Sequence, residues 1–435
     1  TVSDANGCSA TASVTITQPA SAVTATATVT SNYNGSQISC FGLSDGVVTA
    51  NPSGGTLPYS YLWQTGATTQ SITGRPAGVN CVTVTDGNGC AAASACVTVT
   101  QPSAVTATIN ALTVVNVGCN GASTGQATGV GSGGTGTYTF IWSPTSQTTA
   151  TATGLAAGQH CVTVSDQNNC RANTCVTITQ PAAPLSGTAT VTSNYNGSQL
   201  SCSGSTDATI TINPAGGTPA YSFVWENAST TQTRTGLGAG VYTVTVTDNN
   251  GCTLTSSVTV TAPSAMTATV PGAGVTNVLC FGQSTGSATA AGAGGTGAYS
   301  FVWSSVPAQF TATATGLAAG PYTVTVSDAN GCSATASVTI TQPATAVNAT
   351  ATVISNYNGS QISCFGASDG IVTANPSGGV GPYTFLWSIG ARTTQSISGL
   401  AAGTYCVTVT DNNGCAAASA CVTLTQPAAV TATIT

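Results

Sequence analysis

Seventeen cysteines give this 435-residue chain its clearest capacity for chemistry. In a reducing compartment such a number points to metal or redox sites. Here the cysteines recur at fixed offsets inside small Thr-rich units, the pattern of a disulfide framework in an oxidising, extracellular setting. Two kinds of pair are expected. Cys81 and Cys96, Cys161 and Cys175, and Cys406 and Cys421 each flank a turn such as "DGNG". Strand alternation puts both members on the outer face of a hairpin, nearly opposite one another and within bridging reach. The second kind is expected inside every unit: Cys40–Cys90, Cys119–Cys170, Cys202–Cys252, Cys280–Cys332 and Cys364–Cys415. Each would close a loop of about fifty residues, worth about 4 kcal/mol in the chain-entropy model, and tie one end of its unit. Cys8 is then left over, with its partner expected upstream.

Other chemistry is sparser. The turns "DGNG", "DQNN", "DNNG" and "DANG" carry hard oxygens that suit calcium, and a Cys40–Cys90 bridge would draw Asp45 toward Asp86. A type I turn with a glycine bulge accounts for the same residues without an ion. Units with "STG" in place of "SDG" lack the second carboxylate, so no metal and no cofactor is expected. His160 is the only histidine, Lys is absent, and no nucleophile recurs beside it. No catalytic residue and no enzymatic activity follow from such a set. The single Met266 carries no pattern. Charged residues make up 3% of the chain and the net charge is -6, which leaves no basic footprint for nucleic acid. No apolar run reaches the roughly 18 residues of a membrane span.

One loop, "SNYNGSQ", stands at residues 31–37, 193–199 and 355–361. Its Asn-Gly is a strong hairpin signal, with Tyr33, Tyr195 and Tyr357 capping the tip. The same loop is the candidate contact surface, through Tyr33, Asn34, Tyr195, Asn196, Tyr357 and Asn358. Its partners would be neighbouring repeats of the same chain, other copies in a filament or bundle, or a surface polysaccharide. A loop that returns in every second unit fits an interdomain contact better than a ligand site.

These residues are positioned by strands. Val–Thr alternation and turn clusters mark the whole chain. Trp63, Trp142, Trp225, Trp303 and Trp387 each end an aromatic strand, and units close at Pro19, Pro102, Pro181, Pro263, Pro343 and Pro427. Residues 1–19 are the end of a preceding repeat. Whole repeats follow at 20–102, 103–181, 182–263, 264–343 and 344–427, and 428–435 is the first strand of another. In the first whole repeat the expected strands are 23–30, 38–40, 46–51, 59–63, 69–73, 79–85 and 95–100. About seven short strands in eighty residues predict an all-β fold. The chain reads as a tandem array of five complete Ig-like antiparallel β-sandwich domains, with partial domains at both ends. Tyr242 occupies a tyrosine-corner position, and Tyr59, Tyr61 and Trp63 share one strand face as core. Domains this small are marginal without staples. Short Pro linkers such as "TQPASAV" predict a stiff rod with nearest-neighbour contacts.

The strings "GGTLPYSYLWQTGATTQSITGRPAGVNCVTVTDGNGC" and "GGTPAYSFVWENASTTQTRTGLGAGVYTVTVTDNNGC" resemble SprB repeats, Ig-like modules of very large surface adhesins of Bacteroidetes. The resemblance runs over essentially all of the chain. It implies a structural filament at the bacterial cell surface, exported by the type IX system and contacting a substratum, as in gliding motility. The hairpin cysteine pair is additional to that family pattern.

Overall fold

The computed structural model describes residues 1–417 and 419–433. They form two compact units. The first is Thr1–Gly187 with Pro214–Phe223 and Thr245–Thr255; the second is Thr188–Asn213 with Val224–Val244 and the chain from Ser256 on.

In the first unit, the first whole repeat makes two three-stranded antiparallel sheets. One is ordered Thr24–Val29, Gly46–Ser53, Ser71–Arg75, and the other Ser60–Trp63, Gly78–Thr85, Ala95–Val99. This division of strands is that of an immunoglobulin-type sandwich with one edge strand fewer. The second repeat copies it, with Thr106–Ile109, Gly125–Ser132 and Thr151–Leu155 against Thr139–Ser143, Gly158–Ser165 and Arg171–Ile178. In the second unit the fifth repeat has the same plan. The fourth splits its first sheet, because Thr267–Thr269 pairs with Ala291–Ala293 while Val275–Thr276 pairs with Gly286–Thr289.

The period-two pattern dictates the core. Val82 and Val84 are fully buried between the sheets, with Val48, Ala50 and Trp63. Each buried indole also needs a partner for its N–H. Trp63 Nε1 donates to the Thr69 carbonyl (2.9 Å), and Trp142, Trp225, Trp303 and Trp387 repeat the bond to Thr149, Thr231, Thr311 and Thr394. Tyr59 and Tyr61 pack against this cluster, so that strand face is core.

Two expected strands differ. Residues 38–40 are a bend rather than a strand, because side chains serve the backbone there. Asp45 accepts from the Ser39 amide (3.1 Å) and hydroxyl, and Gln37 Oε1 accepts from the Thr100 amide (2.8 Å). Ile38 plugs the end of the core with no exposed surface. At the other end, residues 428–433 carry no strand, and residues 434 and 435 of the expected strand 428–435 lie outside the described residues.

Candidate functional site

Two elements of each repeat converge on the junction with its neighbour. One is the loop before the second strand, which holds the first cysteine. The other is a five-residue turn, Asp-x-Asn-x-Cys, which ends in the cysteine at 90, 170, 252, 332 or 415. Within the turn the aspartate is the organiser. Asp166 Oδ1 accepts from the amides of Asn168 and Cys170, both at 2.9 Å, and its Oδ2 accepts from Thr135 (2.9 Å). Asp86, Asp248, Asp328 and Asp411 are bonded alike.

Amide donation holds the carboxyls of Asp86, Asp248, Asp328 and Asp411 below the ordinary carboxylate value. For Asp86 the Thr56 amide leads, against desolvation, with the Cys90 and Asn88 amides adding to it. For Asp248, Asp328 and Asp411 desolvation is the largest single effect and pushes upward, but the backbone amides together outweigh it. Asp45 serves Ser39 in its own loop and shares no site with Asp86. Among the described residues no group of three or more His, Cys, Asp or Glu is placed to hold a metal ion.

The glycine pair before the aromatic strand is shaped for this aspartate. Gly55 and Gly217 lie in the left-handed region (φ 67° and 57°), and a Cβ there would stand 2.7 and 2.6 Å from Oδ2 of Asp86 and Asp248.

The turn does not bond to the loop of its own repeat. Cys40 is joined to Cys170, Cys119 to Cys252, Cys202 to Cys332 and Cys280 to Cys415, with Cα–Cα distances of 5.6–5.7 Å. The five bridges expected inside single repeats, Cys40–Cys90, Cys119–Cys170, Cys202–Cys252, Cys280–Cys332 and Cys364–Cys415, are therefore replaced by bridges from each repeat to the next. The first cysteine sits on a bend at one end of its sandwich, and the cysteine that closes the next repeat's Asp-x-Asn-x-Cys turn abuts that bend. Fourteen cysteines are bonded, and Cys8, Cys90 and Cys364 are exposed thiols. In the hairpins, Cys81 lies directly across from Cys96, Cys161 from Cys175 and Cys406 from Cys421. All three pairs are bonded, at Cα–Cα distances of 3.9–4.0 Å.

The asparagine of the turn reads the neighbour. Asn168 Nδ2 donates to the carbonyls of Tyr33 (3.2 Å) and Ser39 (3.1 Å) and to Thr135 Oγ1 (2.7 Å). Its Oδ1 accepts from Asn34 Nδ2 (2.6 Å). Asn34 stands at the tip of a two-residue hairpin closed by Tyr33 and Ser36. Its φ of 48° and the 92° of Gly35 mark the primed turn that Asn-Gly favours. Asn330 repeats every contact with Tyr195, Ser201 and Asn196. The other junctions are plainer: Asn250 donates to the Gly118 carbonyl (2.9 Å) and Asn413 to that of Leu279 (3.0 Å). Tyr357 and Asn358 form the same hairpin, but no described residue of another repeat is bonded to it. These asparagines went unread in the sequence, although Asp-x-Asn-x-Cys stands at 4–8, 86–90, 166–170, 248–252, 328–332 and 411–415.

His160 is a buried structural residue. Its Nε2 lies 2.9 Å from the Ala156 carbonyl, in the slot where the hydroxyls of Tyr242, Tyr322 and Tyr405 bond to Gly238, Ala318 and Ala401.

Fold and junction define a tandem array of Ig-like modules with disulfides between successive modules. The SprB repeat model matches residues 32–68, 194–230, 273–308 and 356–392, one stretch in each of four of these modules. No curated protein gives a significant match. Among solved structures, the chain is similar to the N-terminal eight Ig domains of Down Syndrome Cell Adhesion Molecule. The identity is 11%, over 86% of this chain and 57% of that one, with a TM-score of 0.23. It is also similar to a tetra-tandem repeat in the extending region of a large adhesion protein (16%; 93% and 100%; 0.16) and to domains 1–6 of surface layer protein SbsC (15%; 94% and 67%; 0.22). It thus spans little more than half of the first of these, and at such scores no function transfers.

Proposed function

We propose that the chain is a load-bearing repeat stalk of a long secreted adhesin or filament at the bacterial cell surface. Its domains follow the boundaries 20–102, 103–181, 182–263, 264–343 and 344–427. The observation that carries this reading is the run of disulfides from each repeat to the next. Covalent bonds at every junction serve a molecule under tension and in an oxidising medium. SprB repeats and uncharged Thr-rich faces support the same setting. The hairpin amides at Asn34 and Asn196 each donate to the neighbouring repeat, which favours an interdomain role for the loop.

The covalent topology makes the reading measurable. Pulled from its ends, the oxidised chain goes taut along residues 1–40, back from 170 to 119, along 252–280, and then 415–435. That route holds about a third of the chain, or about 480 Å at ~3.5 Å per residue, against about 1,500 Å once reduced. Optical-tweezer extension of the oxidised protein should stop near the shorter value and reach the longer one only with reductant. A stop beyond about 600 Å with disulfides intact would refute the stapled stalk, since bridges inside single repeats leave a longer route.

A further inference from the structure

The hairpin tips at the odd junctions carry a side chain that water alone can convert. Glycine has no side chain to shield its nitrogen, so in an Asn-Gly pair that nitrogen can attack the Cγ of the asparagine before it. The C–N bond that forms closes a succinimide, and ammonia leaves. Water then opens the ring on either side, to aspartate or to isoaspartate. The net change turns one amide and one water into one carboxylate and one ammonium ion, with no oxidant or reductant.

At Asn34 both reacting groups are held. The Gly35 amide donates to Asn32 Oδ1 (2.8 Å), which opposes loss of the proton that the attack requires. Asn34 Nδ2 donates to Asn168 Oδ1 in the next repeat (2.6 Å), which fixes the amide under attack. The second copy is held alike, with the Gly197 amide on Asn194 Oδ1 (2.8 Å) and Asn196 Nδ2 on Asn330 Oδ1. Asn34 and Asn196 are otherwise exposed, so water reaches them.

We propose that Asn34 and Asn196 are self-modification sites gated by their junctions: a closed junction suppresses succinimide formation and an opened one releases it. The carboxylate that results has no N–H to give Asn168. Two oxygens then face each other. The Asn168 amide cannot turn its nitrogen toward the carboxylate without giving up Tyr33, Ser39 and Thr135. Isoaspartate also lengthens the backbone of a two-residue turn by one carbon. The junction therefore closes again without that bond, and its opening is recorded in the covalent chain. The inference rests on the hydrogen bonds of the two filled junctions and not on the stalk reading.

The test incubates the oxidised full-length chain in mildly alkaline buffer and follows Asn34 and Asn196 by peptide mapping with isoaspartate detection. Asn168→Ala should speed conversion at Asn34 about tenfold, the factor that loss of one hydrogen bond supplies, and leave Asn196 unchanged. Asn330→Ala should do the reverse. Asn32→Ala, which frees the Gly35 nitrogen and leaves the Asn168 contacts in place, should speed Asn34 alone. Asn34→Asp should speed amide exchange across residues 31–39, with residues 193–201 as the unchanged reference. Rates at Asn34 that match the unaltered chain in both Asn168→Ala and Asn32→Ala, acceleration at both sites in either junction variant, aspartate without isoaspartate, or unchanged exchange in Asn34→Asp would each overturn it.

Discussion

Replacing both Cys202 and Cys332 with serine isolates the contribution of one staple between repeats. Both residues are half-buried, so the hydroxyls add little desolvation cost. The bridge spans 130 residues, and closing a loop of that length removes about 5 kcal/mol of chain entropy from the unfolded ensemble. The hairpin bridge Cys406–Cys421 spans 15, and the same relation gives about 3 kcal/mol. Guanidinium denaturation followed by tryptophan fluorescence should therefore show a larger loss for the Cys202→Ser/Cys332→Ser variant than for Cys406→Ser/Cys421→Ser. Asn330 still bonds to Tyr195 and Ser201 in the first variant, so its junction loosens without losing its register. An equal or larger loss in the hairpin variant would refute the closure argument. A bridge between Cys202 and Cys252 in the untouched protein would refute the pairing itself.

Asn330→Ala deprives the Tyr195 and Ser201 carbonyls and Asn196 of a partner. It should cost about 1–3 kcal/mol and speed amide exchange across residues 193–201, and unchanged exchange would count against the junction as described. Acid should weaken the protein through the turn aspartates. Asp86, Asp248, Asp328 and Asp411 are held below 3.8 in the folded state, so their contribution is complete above that value and is lost as pH falls through the lowered values. Denaturation midpoints should be flat above about pH 5 and fall below about pH 4, less steeply in Asp328→Asn.

The sandwich was legible because its signals are local. Alternation placed Val82 and Val84 inside, turn residues placed the hairpins, and the tryptophan spacing counted the repeats. The hairpin pairs were legible for the same reason, since Cys81 and Cys96 are fixed by one turn. The partner of Cys40 was not, because repetition hides it. Cys90 and Cys170 follow the same kind of aspartate turn in successive repeats, and local sequence is the same whether a bridge stays inside its repeat or crosses to the next. Residues 38–40 misled for a related reason. Ile38 has the look of a strand residue, yet its neighbours' amides are served by Asp45 and Gln37, a long-range arrangement that alternation does not encode.

The same geometry explains why the sequence repeats in pairs while the fold repeats singly. Every turn offers an asparagine one residue away from its glycine or asparagine and two from its cysteine, so the donor side of the junction is uniform. The acceptor side alternates. Odd repeats present the Tyr-Asn-Gly hairpin, whose own amide reaches the incoming Asn168 or Asn330, and the turn is bonded to two carbonyls and one amide there. Even repeats present one carbonyl, at Gly118 or Leu279. A disulfide fixes two sulfurs but leaves rotation about its bonds, and the extra hydrogen bonds remove that freedom at alternate junctions. The hydrogen bonding at successive junctions thus alternates with a loop of seven residues, with no change to the sandwich that carries it.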